Sequence, residues 1–196
     1  MGTKQYEMIV LGGSAGSFKV LGQLLKDLPA EFPVPIVVVQ HVWKGSNGSV
    51  ANTLNHIANL NVSEAEEKIV PMHSNIYLAP GGYHLLIETD KSFSLSIDPL
   101  VNYSRPSIDV LFQSAAEAYG QSLIGILLTG ANADGAKGLK AIKDAGGLAI
   151  VQDPETAESP FMPARALEIT PVDHIVAAEQ IGGLLQDLMR KGEVTQ

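Results

Sequence analysis

Three residues far apart in the chain carry chemistry: a serine, a histidine and an aspartate, each just beyond an apolar run. The serine stands in Gly12-Gly13-Ser14-Ala15-Gly16, which reads as G-x-S-x-G. That spacing marks a nucleophile elbow, a tight strand-to-helix turn that presents a hydroxyl at the end of a strand. Glycine belongs there because so sharp a turn calls for positive φ and leaves no room for a Cβ. The N–H of Ala15, with the free N–H groups opening the next helix, would face an oxyanion. Two plainer readings compete. Ser14 could only cap the helix that contains Phe18, or the turn could be the phosphate-binding loop of a nucleotide fold. Neither G-x-G-x-x-G nor G-x-x-x-x-G-K-[ST] can be drawn through the stretch.

The β-branched run Ile36-Val37-Val38-Val39 ends in Gln40-His41, and Asp134 lies with Asn132 in the polar loop Thr129–Gly135. Serine, histidine and aspartate are the nucleophile, base and orienting carboxylate of a serine-hydrolase triad. Taken singly each has a blander role: His41 as a satisfied histidine at a strand end, Asp134 as the cap of the helix beginning at Ala136. The order Ser…His…Asp differs from the Ser…Asp…His of α/β-hydrolases and disfavours that family. Among the other histidines, His56 is expected to face solvent and His73 and His174 to lie in loops or on the surface. His84, after Pro80-Gly81-Gly82-Tyr83, could border the site, though a role in a hairpin is favoured. No H-x-x-x-H or clustered His/Asp pattern suggests a metal, and no cofactor is expected.

The elements that must position these residues alternate between strand and helix. Tyr6–Gly12 and Ile36–Val39 read as buried strands, separated by a helix with Phe18, Leu21, Leu24, Leu25 and Leu28 on one face. The loop Lys44–Ser49 leads to a helix with Val50, Leu54, Ile57 and Leu60. Weak strands over Val62–Leu78 precede a turn at Ala79-Pro80-Gly81-Gly82 and a hairpin, His84–Glu88 with Ser92–Ile97. After the loop Asp98–Arg105, Pro106-Ser107 opens a helix burying Ile108, Leu111, Phe112 and Ala115. Alternation resumes with the strand Leu123–Leu128, the helix Ala136–Ala145, the strand Leu148–Gln152 and a loop over Asp153–Pro163. A short helix at Ala164–Glu168, a strand at His174–Val176 and a helix through Ile181, Leu184, Leu185 and Leu188 follow, with Gly192–Gln196 expected to fray. This is an α/β fold in three layers: a mainly parallel sheet, helices on both faces, and an antiparallel β-hairpin. Ligands of such sheets bind beyond the carboxyl ends of the strands, the edge at which Ser14, His41 and Asp134 all stand.

Composition narrows the class. At 196 residues the chain is expected to form a single domain spanning residues 1–196. Its net charge of −8 argues against nucleic acid or an anionic membrane surface as partner. The absence of cysteine removes disulfides, thiol nucleophiles and thiolate metal sites. No apolar run approaches the ~20 residues of a membrane span and no signal-peptide pattern opens the chain, so no membrane insertion is expected and the cytoplasm is the default location.

The sequence resembles the catalytic domain of the chemotaxis protein-glutamate methylesterases (CheB type) over nearly its whole length. The stretches that carry the likeness are Ile9–Gly16, Val39-Gln40-His41, Tyr77-Leu78-Ala79-Pro80-Gly81, Arg105-Pro106-Ser107-Ile108-Asp109-Val110-Leu111-Phe112, Leu127-Leu128-Thr129-Gly130 and Ala133-Asp134-Gly135-Ala136. The resemblance implies Ser14 as nucleophile, His41 as general base and Asp134 as its partner. It also implies backbone donors at Ala15 and Ala131 for the oxyanion, and Arg105 as an oxyanion or substrate-binding residue. The implied reaction is removal of methyl groups from glutamate methyl esters on methylated chemoreceptor cytoplasmic helices, with glutamine deamidation as a side activity. A chemotaxis methyltransferase or receiver protein is a further implied partner. Many family members begin with a receiver domain, which makes this chain either a stand-alone form or part of a longer fusion.

Several neighbours of the triad depart from the family pattern. Ala15 replaces a threonine, Ser17 a glycine, Ser104 a histidine and Gly82 an aspartate, and Ala131-Asn132-Ala133-Asp134 stands where Met-Gly-Asn-Asp is usual. A main-chain donor at Ala131 survives such a change, whereas a threonine hydroxyl is not replaced by alanine. Loss of one oxyanion donor costs ~10²–10³ in turnover. Three functions therefore stay open: the esterase, a weakly active binding or signalling module of the same fold, and a nucleotide-binding protein using the Gly12–Gly16 turn.

Overall fold

The computed structural model describes residues 5–41 and 49–193, with side chains described as far as residue 190. Residues 44–48 of the expected polar loop lie outside that range, as do the last three of the residues expected to fray. Among the described residues nine strands and six α-helices follow in chain order: β1 (Met8–Gly13), α1 (Ser17–Asp27), β2 (Ile36–Gln40), α2 (Ser49–Asn55), β3 (Asn61–Glu64), β4 (Asn75–Leu78), β5 (His84–Ile87), β6 (Phe93–Ser96), α3 (Ile108–Tyr119), β7 (Leu123–Leu127), α4 (Ala136–Asp144), β8 (Leu148–Gln152), α5 (Phe161–Ile169), β9 (His174–Val176) and α6 (Ile181–Glu193).

Seven strands form one sheet in the order β3-β4-β2-β1-β7-β8-β9, and every neighbouring pair is parallel. β5 and β6 pair separately as the antiparallel hairpin. Alternate residues of the central strands are buried on opposite faces, as expected where helices cover both. On one face Val10, Val37, Val39, Leu127 and Val151 pack with Ile108, Leu111 and Phe112 of α3, Leu139 and Ile142 of α4, Met162 of α5, and the hairpin's Leu85, Ile87 and Phe93. On the other, Ile9, Leu11, Ile36, Val38, Ile126 and Ile150 pack with Leu21, Leu24 and Leu25 of α1, Leu54 of α2, and Ile181 and Leu185 of α6. The hairpin is pinned to the sheet by Phe93, which meets Tyr77 of β4 edge to face at 5.1 Å.

The expected three layers are thus present. Several boundaries differ from the sequence reading. α2 ends at Asn55, so Ile57 and Leu60, expected on its apolar face, lie beyond the helix. α5 begins at Phe161, before the expected Ala164, because Pro163 falls in its first turn, where a missing N–H breaks no helical bond. α6 extends through Glu193, so residues 192 and 193, expected to fray, are helical.

The strand order fixes where a site can form. From β1 the chain moves outward through β2, then returns to place β7 on the other side of β1. In parallel sheets ligands bind beyond the carboxyl ends where the winding reverses, which here is between β1 and β7. Ser14 follows β1, His41 follows β2, and Asp134 lies in the loop after β7. Among the described residues no helix is long and apolar enough to cross a membrane.

Candidate active site

β1 and β2 end in register at the pair Gly13–Gln40, so Ser14 and His41 are the next residues of adjacent parallel strands. The His41 N–H donates to Gly13 O at 3.0 Å, and Ser14 N–H donates to Thr129 O at 3.0 Å, which ties the turn to the strand on its other side. Gln40, buried at the end of β2, joins the two backbones. Its Nε2 donates to Ser14 O at 3.1 Å and to His41 O at 3.3 Å, while its Oε1 lies 2.6 Å from Ser17 Oγ. Ser17 Oγ is also 2.6 Å from Ser14 O, so one buried hydroxyl proton is shared between two acceptors.

The glycines of the turn divide between the two roles expected of them. Gly16 adopts φ +79°, the left-handed region that L side chains avoid. Gly12 is needed for close approach instead: a Cβ there would stand 2.3 Å from Ile108 Cγ2. That absent methyl lets the first turn of α3 lie against β1.

The approach of α3 matters because its N-terminus receives Asp134. The Asp134 carboxylate is fully buried and accepts from His41 Nε2 at 2.8 Å, Ser107 Oγ at 2.7 Å, Asn102 Nδ2 at 3.0 Å, and the Ile108 and Asp109 N–H groups at 2.7 and 3.2 Å. Burial pushes its pKa up, but the bonds from His41, Asn102, Ile108 and Ser107 outweigh that and hold it below the usual carboxylate range. Helix amides and the N-terminal end of the macrodipole supply part of this donor set. Asp134 does not cap the helix that follows it. Gly135 holds that position in α4 without a side-chain bond, and the carboxylate serves α3 instead. Likewise Gly16, not Ser14, is the N-cap residue of α1.

An ionised carboxylate only accepts, so the proton between the pair sits on His41 Nε2. The imidazole is thereby fixed with Nδ1 as its free acceptor. Ser14 Oγ makes no hydrogen bond to a described residue. Asp109, also buried, accepts from Gly138 N–H at 2.7 Å and from Asn102 Nδ2 at 2.8 Å. Asn102 therefore bridges the two carboxylates. Burial, with the nearby Asp134 charge, pushes the Asp109 carboxyl up despite those bonds.

The other expected residues have separate placements. Ala15 and Ala131 are exposed, and among the described residues neither N–H is engaged in a hydrogen bond, a condition an oxyanion donor must meet. Arg105 is half-buried and points its Nη1 at its own loop, donating to Ile97 O at 2.6 Å and Asp98 O at 2.9 Å; its Nε is buried without a partner. It makes no hydrogen bond to Ser14, His41 or Asp134. His84 is buried in β5, accepts Ser107 N–H at Nδ1 (3.2 Å) and donates from Nε2 to Pro99 O (3.1 Å). His56 and His73 are exposed and His174 is half-buried on the edge strand β9. Among the described residues no group of three or more His, Asp or Glu side chains is placed to hold a metal ion.

Gln40, Asn102, Ser107, Asp109 and His84 complete the network; of these the sequence points only to His84, as a residue that could border the site. Of the rest, Ser107 carried the clearest signal, as the polar residue opening a helix, which also makes it the N-cap accepting Val110 N–H. Asn102 carried none, since its partners lie 7 and 32 residues away.

Comparison with known proteins gives a consistent picture. The sequence model of the family described as CheB methylesterase matches residues 9–185. A Leptospira interrogans (serovar copenhageni, strain Fiocruz L1-130) protein, provisionally named a protein-glutamate methylesterase/protein-glutamine glutaminase, is 52% identical over 91% of this chain and 93% of its own length. The protein-glutamate methylesterase/protein-glutamine glutaminase 2 of Anaeromyxobacter dehalogenans is 39% identical over 94% of this chain, which spans 54% of that longer protein. The crystal structure of the Thermotoga maritima CheB methylesterase catalytic domain superposes with a TM-score of 0.89 at 34% identity, covering 94% of this chain and 99% of the other.

Proposed function

The chain belongs to the CheB methylesterase family, a family of carboxylic ester hydrolases, and we propose that it removes methyl groups from glutamate methyl esters on chemoreceptor helices. The observation that carries the reading is the 2.8 Å bond between His41 Nε2 and the buried, donor-saturated Asp134, one residue beyond the strand pair that also leads to Ser14.

In this mechanism His41 Nδ1 takes the proton of Ser14 Oγ as the oxygen attacks the ester carbonyl carbon. The N–H groups of Ala15 and Ala131 hold the oxyanion of the tetrahedral intermediate. Its collapse breaks the bond to the methoxy oxygen, which leaves as methanol with the proton from His41. Water, deprotonated by His41, then attacks the acyl-enzyme and releases glutamate with Ser14 restored. Asp134 holds the ring and stabilises the imidazolium that forms twice in the cycle. Arg105 serves substrate binding one step back, by fixing the loop that borders the site. The same chemistry on a glutamine side chain releases ammonia, in keeping with the second activity in the relatives' names.

The test is methanol release from a methylated receptor fragment. Ser14→Ala is expected to lower turnover by at least ~10³-fold while leaving the circular dichroism spectrum and Tm in place. Release at the unaltered rate would overturn the assignment. A serine-directed phosphonate addresses the weakly active binding-module reading, since only an activated Ser14 is labelled.

A further inference from the structure

The loop between the hairpin and α3 carries a residue that the fold itself does not use. Val101 and Ser104 form an antiparallel bridge, with Ser104 N–H donating to Val101 O at 2.9 Å and Val101 N–H to Ser104 O at 3.2 Å. The two residues between them, Asn102 (φ 49°) and Tyr103 (φ 63°), are both left-handed. A two-residue turn with both φ positive favours Asn followed by Gly, and a tyrosine in the second place is strained. Tyr103 is also 97% exposed, so its ring contributes almost nothing to the core.

That exposure is imposed by a held loop. Arg105 Nη1 grips Ile97 O and Asp98 O, and His84 Nε2 grips Pro99 O. Asn102, the other half of the turn, is anchored inward on Asp109 and on the Asp134 that holds His41. One residue of the turn is therefore fixed to the site and the next stands in solvent beside it. Other exposed apolar side chains occur on the segments bonded into the same site. Phe18 follows Ser17 of the elbow, Ile97 and Leu100 share the Tyr103 loop, and Phe161 precedes Met162, whose N–H donates to Gly130 O. A strained, exposed aromatic at a site is an outlier that points to recognition.

We propose that Tyr103 is a specificity-determining residue that packs against an apolar flank of the polypeptide carrying the ester, so that the site favours a protein ester over a small one. This rests on the esterase reading above. It adds a contact surface whose occupant is the substrate protein, continuous with the reacting centre through Asn102.

Binding and turnover separate the two readings. In the Ser14→Ala protein, Tyr103→Gly is expected to weaken binding of a methylated receptor cytoplasmic fragment about 10-fold by calorimetry. Tyr103→Phe in the same background should stay within about 2-fold, because the ring is retained. The glycine variant should melt no lower than its parent, since glycine suits the left-handed position. With Ser14 intact, Tyr103→Gly should lower kcat/KM for the methylated fragment about 10-fold relative to kcat/KM for p-nitrophenyl acetate. Equal affinity with and without the ring, equal losses on both esters, a lower Tm, absence of fragment binding, or a self-associated chain that Tyr103→Gly dissociates would each overturn the proposal. If the intact chain hydrolyses neither ester while Tyr103 still governs fragment binding, the esterase reading falls and takes the ester preference with it, and only the contact between Tyr103 and the fragment stands.

Discussion

Taking the Asp134 carboxylate out of water carries a penalty of several kcal/mol unless donors replace the lost hydration. Here Ser107, Asn102, two α3 amides and His41 replace it, and the charge is retained. Asp134→Asn puts an amide NH₂ among those donors and is expected to cost roughly 3 kcal/mol near neutral pH. The pH dependence has a definite sign. A carboxylate whose folded pKa lies below its ordinary 3.8 contributes stability that is complete above that value and is lost as pH falls through the folded pKa. Urea midpoints measured from about pH 7 to about pH 3 should therefore show a gap between the two proteins that narrows below about pH 4. Asp109, whose carboxyl is pushed up by burial and by the Asp134 charge, is freed of that charge in Asp134→Asn, so its own titration also changes the gap above the range in which Asp134 takes up its proton. A gap that stays constant to the acid end would mean that Asp134 is not held as an anion. The placement of Ser14, His41 and Asp134 at one edge was readable because each follows a strand, where one local rule applies. Asn102 and Gln40 were not, because what joins them to that group is a hydrogen bond to a residue distant in sequence.

At the scale of elements, the site depends on how closely α3 lies against β1. Adding a methyl at Gly12 would meet Ile108 Cγ2 at 2.3 Å, and that contact can be relieved only by moving the first turn of α3 or by removing the branch. Gly12→Ala is expected to destabilise the fold by about 1–3 kcal/mol and to lower turnover about 10-fold or more, because the Ile108 and Asp109 amides leave Asp134. Ile108→Ala alone leaves a cavity costing about 2–5 kcal/mol. If the contact is the cause, the double variant is more stable than the sum of the two losses predicts, by about 1 kcal/mol or more in a double-mutant cycle. Strict additivity would show that Gly12 is required for another reason. The elements themselves were largely legible: β8 and β9 have the limits expected from their apolar runs, and the hairpin lies where its turn residues placed it. Their mutual distances were not. Periodicity reveals which face of α3 is buried, whereas the residue it touches at Gly12 depends on the pairing of strands more than 100 residues apart.

For the molecule as a whole, the winding of one sheet brings a residue after β1, a residue after β2 and a loop after β7 to a single edge. The parallel alternation legible in the sequence already implied that edge together with the three-layer class. Charge is the other property that belongs to no single element. The chain carries −8, and the proposed reaction converts a neutral ester into a carboxylate without moving the rest of the substrate. The product is therefore repelled by the field of the whole chain where the ester is not. Using Ser14→Ala to prevent turnover, the methylated and demethylated forms of one receptor fragment differ by that charge and the lost methyl. The Debye length shrinks from about 30 Å at 0.01 M salt to about 10 Å at 0.1 M and about 3 Å at 1 M. The ratio of product Kd to ester Kd should accordingly fall several-fold between about 0.01 M and about 0.5 M salt, then level off at a value set by contacts inside the site. A ratio independent of salt would place the discrimination entirely in local contacts and leave the net charge with no part in product release.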